Sequence, residues 1–163
     1  MLRRAMTAID LTGNWAGHYR QNRGRHGISM QVVQRGQSFV GRMRDVDTVM
    51  AGHEKLRAQN LADPQIELIA DAEVLSTVPE FSTVEGEIEG RVVTFVKSYQ
   101  GKSTTSVWVQ DAAAMTFEFA GHQVQYLGTL DATGEVLSGH WNIAPHAGEK
   151  AMRDRFELRR VPG

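Results

Sequence analysis

The chain reads as a succession of short segments in which apolar and polar residues alternate, separated by glycines and small polar clusters. A period of two sends successive side chains to opposite faces of a strand, so alternation predicts strands with one face turned to a core. The pattern places strands near residues 12–20, 27–34, 37–44, 83–90, 91–99, 103–110, 115–120, 123–130, 135–143 and 153–160. Glycine occurs 16 times and proline 4 times, the balance of many short antiparallel strands joined by tight turns. No internal repeat or low-complexity tract interrupts the pattern.

Residues 45–80 depart from it. Asp63-Pro64 reads as an N-cap followed by proline at the first helical position. Ile66, Leu68, Ile69, Ala72 and Leu75 then fall near a helical stripe, and 48–61 reads as another short helix broken by Pro64. The segment is expected to be a short helical or irregular excursion over one mouth or side of the sheet, or else a long strand connection.

Turn arithmetic gives expected registers. Gly121-His122 has the two-residue type II′ signature and pairs Phe119 with Val124 and Phe117 with Tyr126. The turn at 131–134 pairs Val124 with Trp141 and Tyr126 with Gly139. A turn at Arg35-Gly36 pairs Val32 with Phe39, Met30 with Gly41 and Ile28 with Met43, and an even-length loop before Ile28 brings Trp15, Gly17 and Tyr19 to the same apolar face. The opposite faces carry Ser29, Gln31, Arg42, Glu118, Gln125 and His140, as solvent exposure requires. The strand 91–99 and the Trp108 strand are apolar or mixed on both faces, and alternation does not orient them. One-sided strands in sequential hairpins close best into an antiparallel up-and-down β-barrel. The expected fold class is therefore all-β, a barrel of about eight to ten strands, in a single domain over residues 1–163.

Gly13-Asn14-Trp15 on the first strand resembles the opening of the lipocalins and the wider calycin group. The resemblance implies that Trp15 closes the barrel floor beneath an arginine of the last strand, Arg155, Arg159 or Arg160. The lipocalin Thr-Asp-Tyr motif and the disulfides of that group are absent. Phe95-Val-Lys97-Ser-Tyr99, Val124-Gln-Tyr126-Leu-Gly128, Gly139-His-Trp141 and Arg155-Phe156-Glu-Leu158 look like a group of small bacterial barrel proteins of uncharacterised function. That likeness covers most of the chain outside 45–80 and implies a barrel without implying a chemistry. There is a fainter similarity to avidin-type barrels, but their biotin-ring residues have no match here.

Composition narrows the function classes. Of 163 residues, 41% are hydrophobic and 23% charged, as in soluble globular proteins. The absence of cysteine excludes a disulfide scaffold, a thiolate metal site and a thiol nucleophile. No apolar run is long enough for a transmembrane helix, and the run after Arg3-Arg4 is too short for a secretory signal, so a cytoplasmic protein is expected. The net charge of −1 hides an asymmetry: residues 1–60 hold ten Lys/Arg against four Asp/Glu, and residues 61–163 hold eight against fifteen. Arg20, Arg23, Arg25, Arg35, Arg42 and Arg44 read as solvated strand faces and loops, so neither nucleic acid nor a membrane is expected as a partner.

Candidate chemistry is sparse. The six histidines (18, 26, 53, 122, 140 and 146) show no zinc-ligand spacing, so no metal and no cofactor is expected. Thr104-Thr105-Ser106 and Ser98 lie in no nucleophile elbow, and Glu85, Glu87 and Glu89 read as a solvated stripe. The expected ligand-binding residues are the inward ones: Tyr19, Met30, Phe39, Met43, Phe117, Phe119, Tyr126 and Trp141. Gly17, Gly41, Gly128 and Gly139 lie between them. These glycines either open an apolar cavity with Tyr19 and Tyr126 as polar handles, or permit curvature while aromatics fill the interior. The expectation is a barrel that binds a small apolar or aromatic ligand. An alternative is a barrel-cavity enzyme such as a cyclase or isomerase, marked by an inward acid or histidine of perturbed pKa beside Tyr19, Tyr126 or Tyr99. A second alternative is a protein-interaction or homodimerising barrel, with Val33 and Val40 pointing outward.

Overall fold

A computed structural model describes residues 9–21, 24–59, 67–109, 115–120, 122–143 and 152–162, with side chains undescribed at 53–59 and 67–70. The chain forms two compact units. The first comprises residues up to Asp47, Glu80–Gln100 and the chain from His122, and the second comprises Thr48–Pro79 and Gly101–Gly121.

The first unit is a closed antiparallel barrel of eight strands. Its strands are β1 (Gly13–Gln21), β2 (Gly24–Arg35), β3 (Ser38–Asp45), β6 (Phe81–Glu89), β7 (Val92–Tyr99), β10 (Gln123–Leu130), β11 (Val136–Ile143) and β12 (Met152–Arg160). Each pairs with the barrel strands before and after it, and β12 closes onto β1 with Tyr19 opposite Phe156 and Trp15 opposite Arg160. This is the expected up-and-down closure, and it leaves no barrel edge unpaired.

The observed registers keep the expected faces but slide by two residues. Met30 sits opposite Met43 and Gln34 opposite Phe39, because the β2–β3 turn centres on Gly36-Gln37. Tyr126 sits opposite Trp141 and Gly128 opposite Gly139. The expected β9–β10 hairpin does not form: β10 pairs with β7, placing Tyr126 opposite Phe95. The orientation of β7, ambiguous in sequence, follows: Val93, Phe95, Lys97 and Tyr99 point into the barrel.

At one end the interior is wholly apolar. Trp15, Leu11, Val32, Leu130, Leu137 and Leu158 are buried there. The indole N–H of Trp15 donates to the Leu11 carbonyl at 2.9 Å, and the Arg160 guanidinium lies over the ring at 4.5 Å. Arg160 donates to the Asp10 and Thr12 carbonyls at 2.7 and 3.2 Å, so it is the last-strand arginine over the floor tryptophan. A chain of ring contacts through Phe39, Phe95, Tyr126 and Phe156 fills the middle, with Phe95 stacked on Tyr126 at 4.5 Å. The inward glycines serve curvature here. A Cβ on Gly17, Gly41, Gly86 or Gly139 would lie 1.9, 2.1, 2.2 or 2.0 Å from a carbonyl oxygen of the next strand.

The second unit is a four-stranded sheet in the order β4-β5-β8-β9, built from β4 (Val49–Gln59), β5 (Glu67–Thr77), β8 (Lys102–Val109) and β9 (Met115–Ala120). The helical expectation for 45–80 is corrected: both stretches are strands, paired with each other, and β5 pairs on its other side with β8. The reason is visible within β5, where buried Ala72 lies between exposed Asp71 and Glu73, a period of two that the apolar spacing alone does not reveal. The Asp63-Pro64 N-cap lies outside the described residues. Hydroxyls link the strands side by side: Thr77 with Thr104, Ser76 with Thr105 at 3.5 Å, and Ser106 with Thr116 at 2.9 Å. Phe117 and Phe119, expected on the barrel, sit instead on β9 and are 45% and 43% exposed.

Candidate functional site

The floor end of the barrel is closed by short turns, whereas the chain leaves it at the opposite end, the mouth. β3 ends there at Asp45 and β7 at Tyr99, and β6 and β10 begin there. Stems hold these departures together, with the Asp45 N–H donating to the Glu80 carbonyl at 2.8 Å and the Tyr99 N–H to the His122 carbonyl at 3.3 Å.

The inward rows change character as they reach the mouth. On β3 the row Phe39, Gly41, Met43 ends in Asp45, and on β7 the row Val93, Phe95 ends in Lys97 and Tyr99. Asp45 is 1% exposed and Lys97 is 0% exposed. Lys97 Nζ donates to Asp45 Oδ1 at 2.6 Å and to the Tyr99 hydroxyl at 3.0 Å. The Tyr99 hydroxyl donates in turn to Asp45 Oδ2 at 2.8 Å, closing a ring of three charge-assisted hydrogen bonds. The Tyr19 hydroxyl reaches the same oxygen at 3.5 Å. The Lys97 ammonium also lies 4.4 Å from the Tyr99 ring centre and 5.3 Å from that of Tyr19, within cation–π range.

Aromatic and imidazole rings border this cluster. His26 stacks on Tyr19 at 5.0 Å, His122 tilts over Tyr99 at 4.8 Å, and Trp141 meets Tyr19 edge-on at 6.2 Å. The Trp141 N–H donates to the Arg20 carbonyl at 2.9 Å, which fixes the indole across the mouth between β1 and β11. Ser82, also buried, donates to the Met43 carbonyl at 3.3 Å.

Burial sets the electrostatics. Desolvation lowers the Lys97 pKa, and the Asp45 carboxylate beside it opposes that shift. Desolvation raises all three phenols, Tyr19, Tyr99 and Tyr126, with the Asp45 charge next in importance at each. At neutral pH the phenols are hydrogen-bond donors, and the lysine is an amine whose hold on its proton is weakened.

Of the expected site residues, Tyr19, Met30, Phe39, Met43, Tyr126 and Trp141 are buried in the barrel, and Tyr19 and Trp141 border the mouth cluster. Phe117 and Phe119 belong to the other unit. Sequence reasoning misses Asp45, Lys97 and Tyr99 as a group. The available signal was a charged residue ending each of two otherwise apolar alternate rows. Of the histidines, His26 lies on β2, and His146 lies outside the described residues. No group of three His, Asp or Glu arranged for a metal occurs among the described residues. No helix among them is long and apolar enough to cross a membrane.

Two concavities lie on the outer wall of the barrel. One, of about 660 Å³, is bordered by Val40, Glu85, Glu87, Gln125 and Leu127; the other, of about 350 Å³, by Gln31, Arg42, Arg44, Phe81 and Val161. Fold and site together define a closed eight-stranded antiparallel β-barrel with an apolar floor and a charged, aromatic mouth. Its closed eight-strand architecture fits a calycin-like barrel. Compared with protein-family models, curated proteins and solved structures, the chain has no match.

Proposed function

We propose that this barrel binds a small ligand at its mouth, with an apolar or aromatic body against Tyr19 and Trp141 and a polar head on Asp45, Lys97 and Tyr99. The observation that carries the reading is the fully buried Asp45–Lys97–Tyr99 ring at one end of an otherwise apolar interior. Small-molecule sites combine apolar walls with a few convergent polar groups of perturbed pKa. The packed middle and the glycines spent on curvature support the mouth, rather than the whole bore, as the ligand's place. The calycin resemblance, with Trp15 under Arg160, supports the same reading.

Native mass spectrometry of the purified protein tests it, followed by denaturation and identification of any released molecule. A stoichiometric small molecule with an aromatic or apolar body is the expected result. An empty spectrum, together with no binding of small aromatic carbonyls or alcohols by ligand-observed NMR, overturns the reading.

One observation favours a barrel-cavity enzyme as the second reading: Asp45 is an inward acid that accepts a hydrogen bond from Tyr99. An acid, an amine and a phenol within hydrogen-bond reach of one another form a proton-transfer set. Turnover of the identified ligand, lost in Tyr99→Phe, separates catalysis from storage.

A further inference from the structure

We propose that Lys97 is a nucleophile that holds small aromatic or apolar aldehydes at the barrel mouth as a Schiff base on its Nζ. The proposal rests on the ligand-binding reading above and commits that reading to carbonyl compounds.

A stability role accounts poorly for this lysine. A buried ion pair contributes little net stability, because desolvating two charges offsets their attraction, and apolar residues of similar volume commonly serve as well. Of the two lysines whose side chains are described, Lys97 and Lys102, Lys97 is the one on an inward barrel row. It is also the one held between a carboxylate and a phenol.

Those two neighbours supply what imine formation needs. Asp45 Oδ1, 2.6 Å from Nζ, accepts the ammonium proton and leaves a neutral amine. Burial favours that neutral form, as in lysines activated by desolvation. The Nζ lone pair then bonds to the carbonyl carbon, while the carbonyl π pair moves onto oxygen. That oxygen takes a proton from the Tyr99 hydroxyl, which lies 3.0 Å from Nζ and 2.8 Å from Asp45 Oδ2. Asp45 returns its proton to Tyr99, so the carbinolamine forms with the cluster restored. Asp45 then takes a second proton from Nζ and passes it through the Tyr99 hydroxyl to the carbinolamine hydroxyl. The carbon–oxygen bond breaks as the nitrogen lone pair forms the C=N bond, and water leaves a protonated imine beside the restored Asp45 carboxylate. Aldehyde and amine thus become imine and water, with no oxidant or reductant consumed. Tyr19 and Trp141 offer rings against which an aromatic aldehyde lies. His26 and His122, both half-buried, stand against the rings of Tyr19 and Tyr99 beside the cluster.

The test treats the full chain with benzaldehyde and cyanoborohydride at neutral pH and quantifies reductive labelling at each lysine by peptide mapping. Burial favours the neutral amine at Lys97, so it is expected to label faster in the native protein than in the same chain unfolded in urea. Tyr99→Phe keeps the ring and removes the hydroxyl, and is expected to slow Lys97 labelling while the circular dichroism is unchanged. A native protein labelled at other lysines and not at Lys97 overturns the proposal. Benzyl alcohol, which cannot form an imine, separates the two levels. If it binds by ligand-observed NMR while Lys97 stays unlabelled, the covalent step alone fails. If neither molecule engages the protein, the binding reading fails with it.

Discussion

Lys97 and Asp45 are coupled so tightly that neither has a meaning alone. Replacing Lys97 by Met leaves a buried carboxylate whose remaining donors are phenols, and breaking such a pair from one side costs about 3–5 kcal/mol. The double variant Lys97→Met, Asp45→Asn removes both charges and is expected to lose much less than the sum of the single variants, a difference that urea denaturation of the four proteins measures. The phenols give a second prediction. All three tyrosines of the chain have raised pKa values, chiefly through burial. A group whose pKa is higher when folded contributes stability that is complete below its unfolded pKa and is lost as pH rises above it. The tyrosines therefore destabilise the fold from about pH 10 upward. Lys97, lowered on folding, runs the other way, its penalty shrinking as pH rises toward the ordinary lysine range. Three phenols outweigh one amine, so tyrosinate absorbance is expected only together with unfolding; a gradual rise in the folded protein near pH 10 contradicts it. Sequence reasoning did not reach this cluster, for a physical reason. Lysine marks a solvent face almost everywhere, and β7 carries Val92 and Val96 outward against Val93 and Phe95 inward, so hydrophobicity left the strand unoriented.

Strands carry the same lesson differently. Faces were legible and registers were not. A slide of two residues returns every side chain to its own face, so the β2–β3 and β10–β11 pairings shifted by two without exposing any expected core residue. Partner choice was harder still. Gly121-His122 has the chemistry of a hairpin turn, yet β9 pairs with β8 and β10 with β7. Segment 45–80 was misread because an apolar set spaced for a helix also serves a strand whose partners lie far along the chain. Inward glycines are where element and residue meet. At Gly41 a methyl would lie 2.1 Å from the Gln31 carbonyl oxygen and 2.7 Å from a Val32 methyl. Gly41→Ala must push β3 away from β2 and is expected to cost about 1–3 kcal/mol, the range for overpacking. Gly52→Ala on β4, where a methyl meets nothing within 4 Å, is expected to change stability by about 0.5 kcal/mol or less. Denaturation midpoints of the two variants make the comparison, and equal losses at both positions refute the crowding argument.

At the scale of the whole molecule, the chain is an eight-stranded meander interrupted twice at one end. Every barrel strand has both neighbours within the barrel, so the hydrogen-bond ladder closes without any strand of the second sheet. The points of departure are already adjacent. Asp45 is bonded to Glu80 across the first insertion and Tyr99 to His122 across the second. Replacing 48–79 and 101–121 by short glycine-containing turns therefore asks the barrel backbone to span no new distance. Tight turns between antiparallel neighbours are the cheapest connections such strands have. The excised chain also keeps every inward residue of the floor, the aromatic middle and the Asp45–Lys97–Tyr99 ring. It is expected to unfold cooperatively, to retain the near-ultraviolet dichroism of Trp15 and Trp141, and to keep its tyrosines un-ionised below the unfolding transition. A chain that is unfolded, or that folds with freely titrating tyrosines, contradicts a barrel that stands on its own ladder and core.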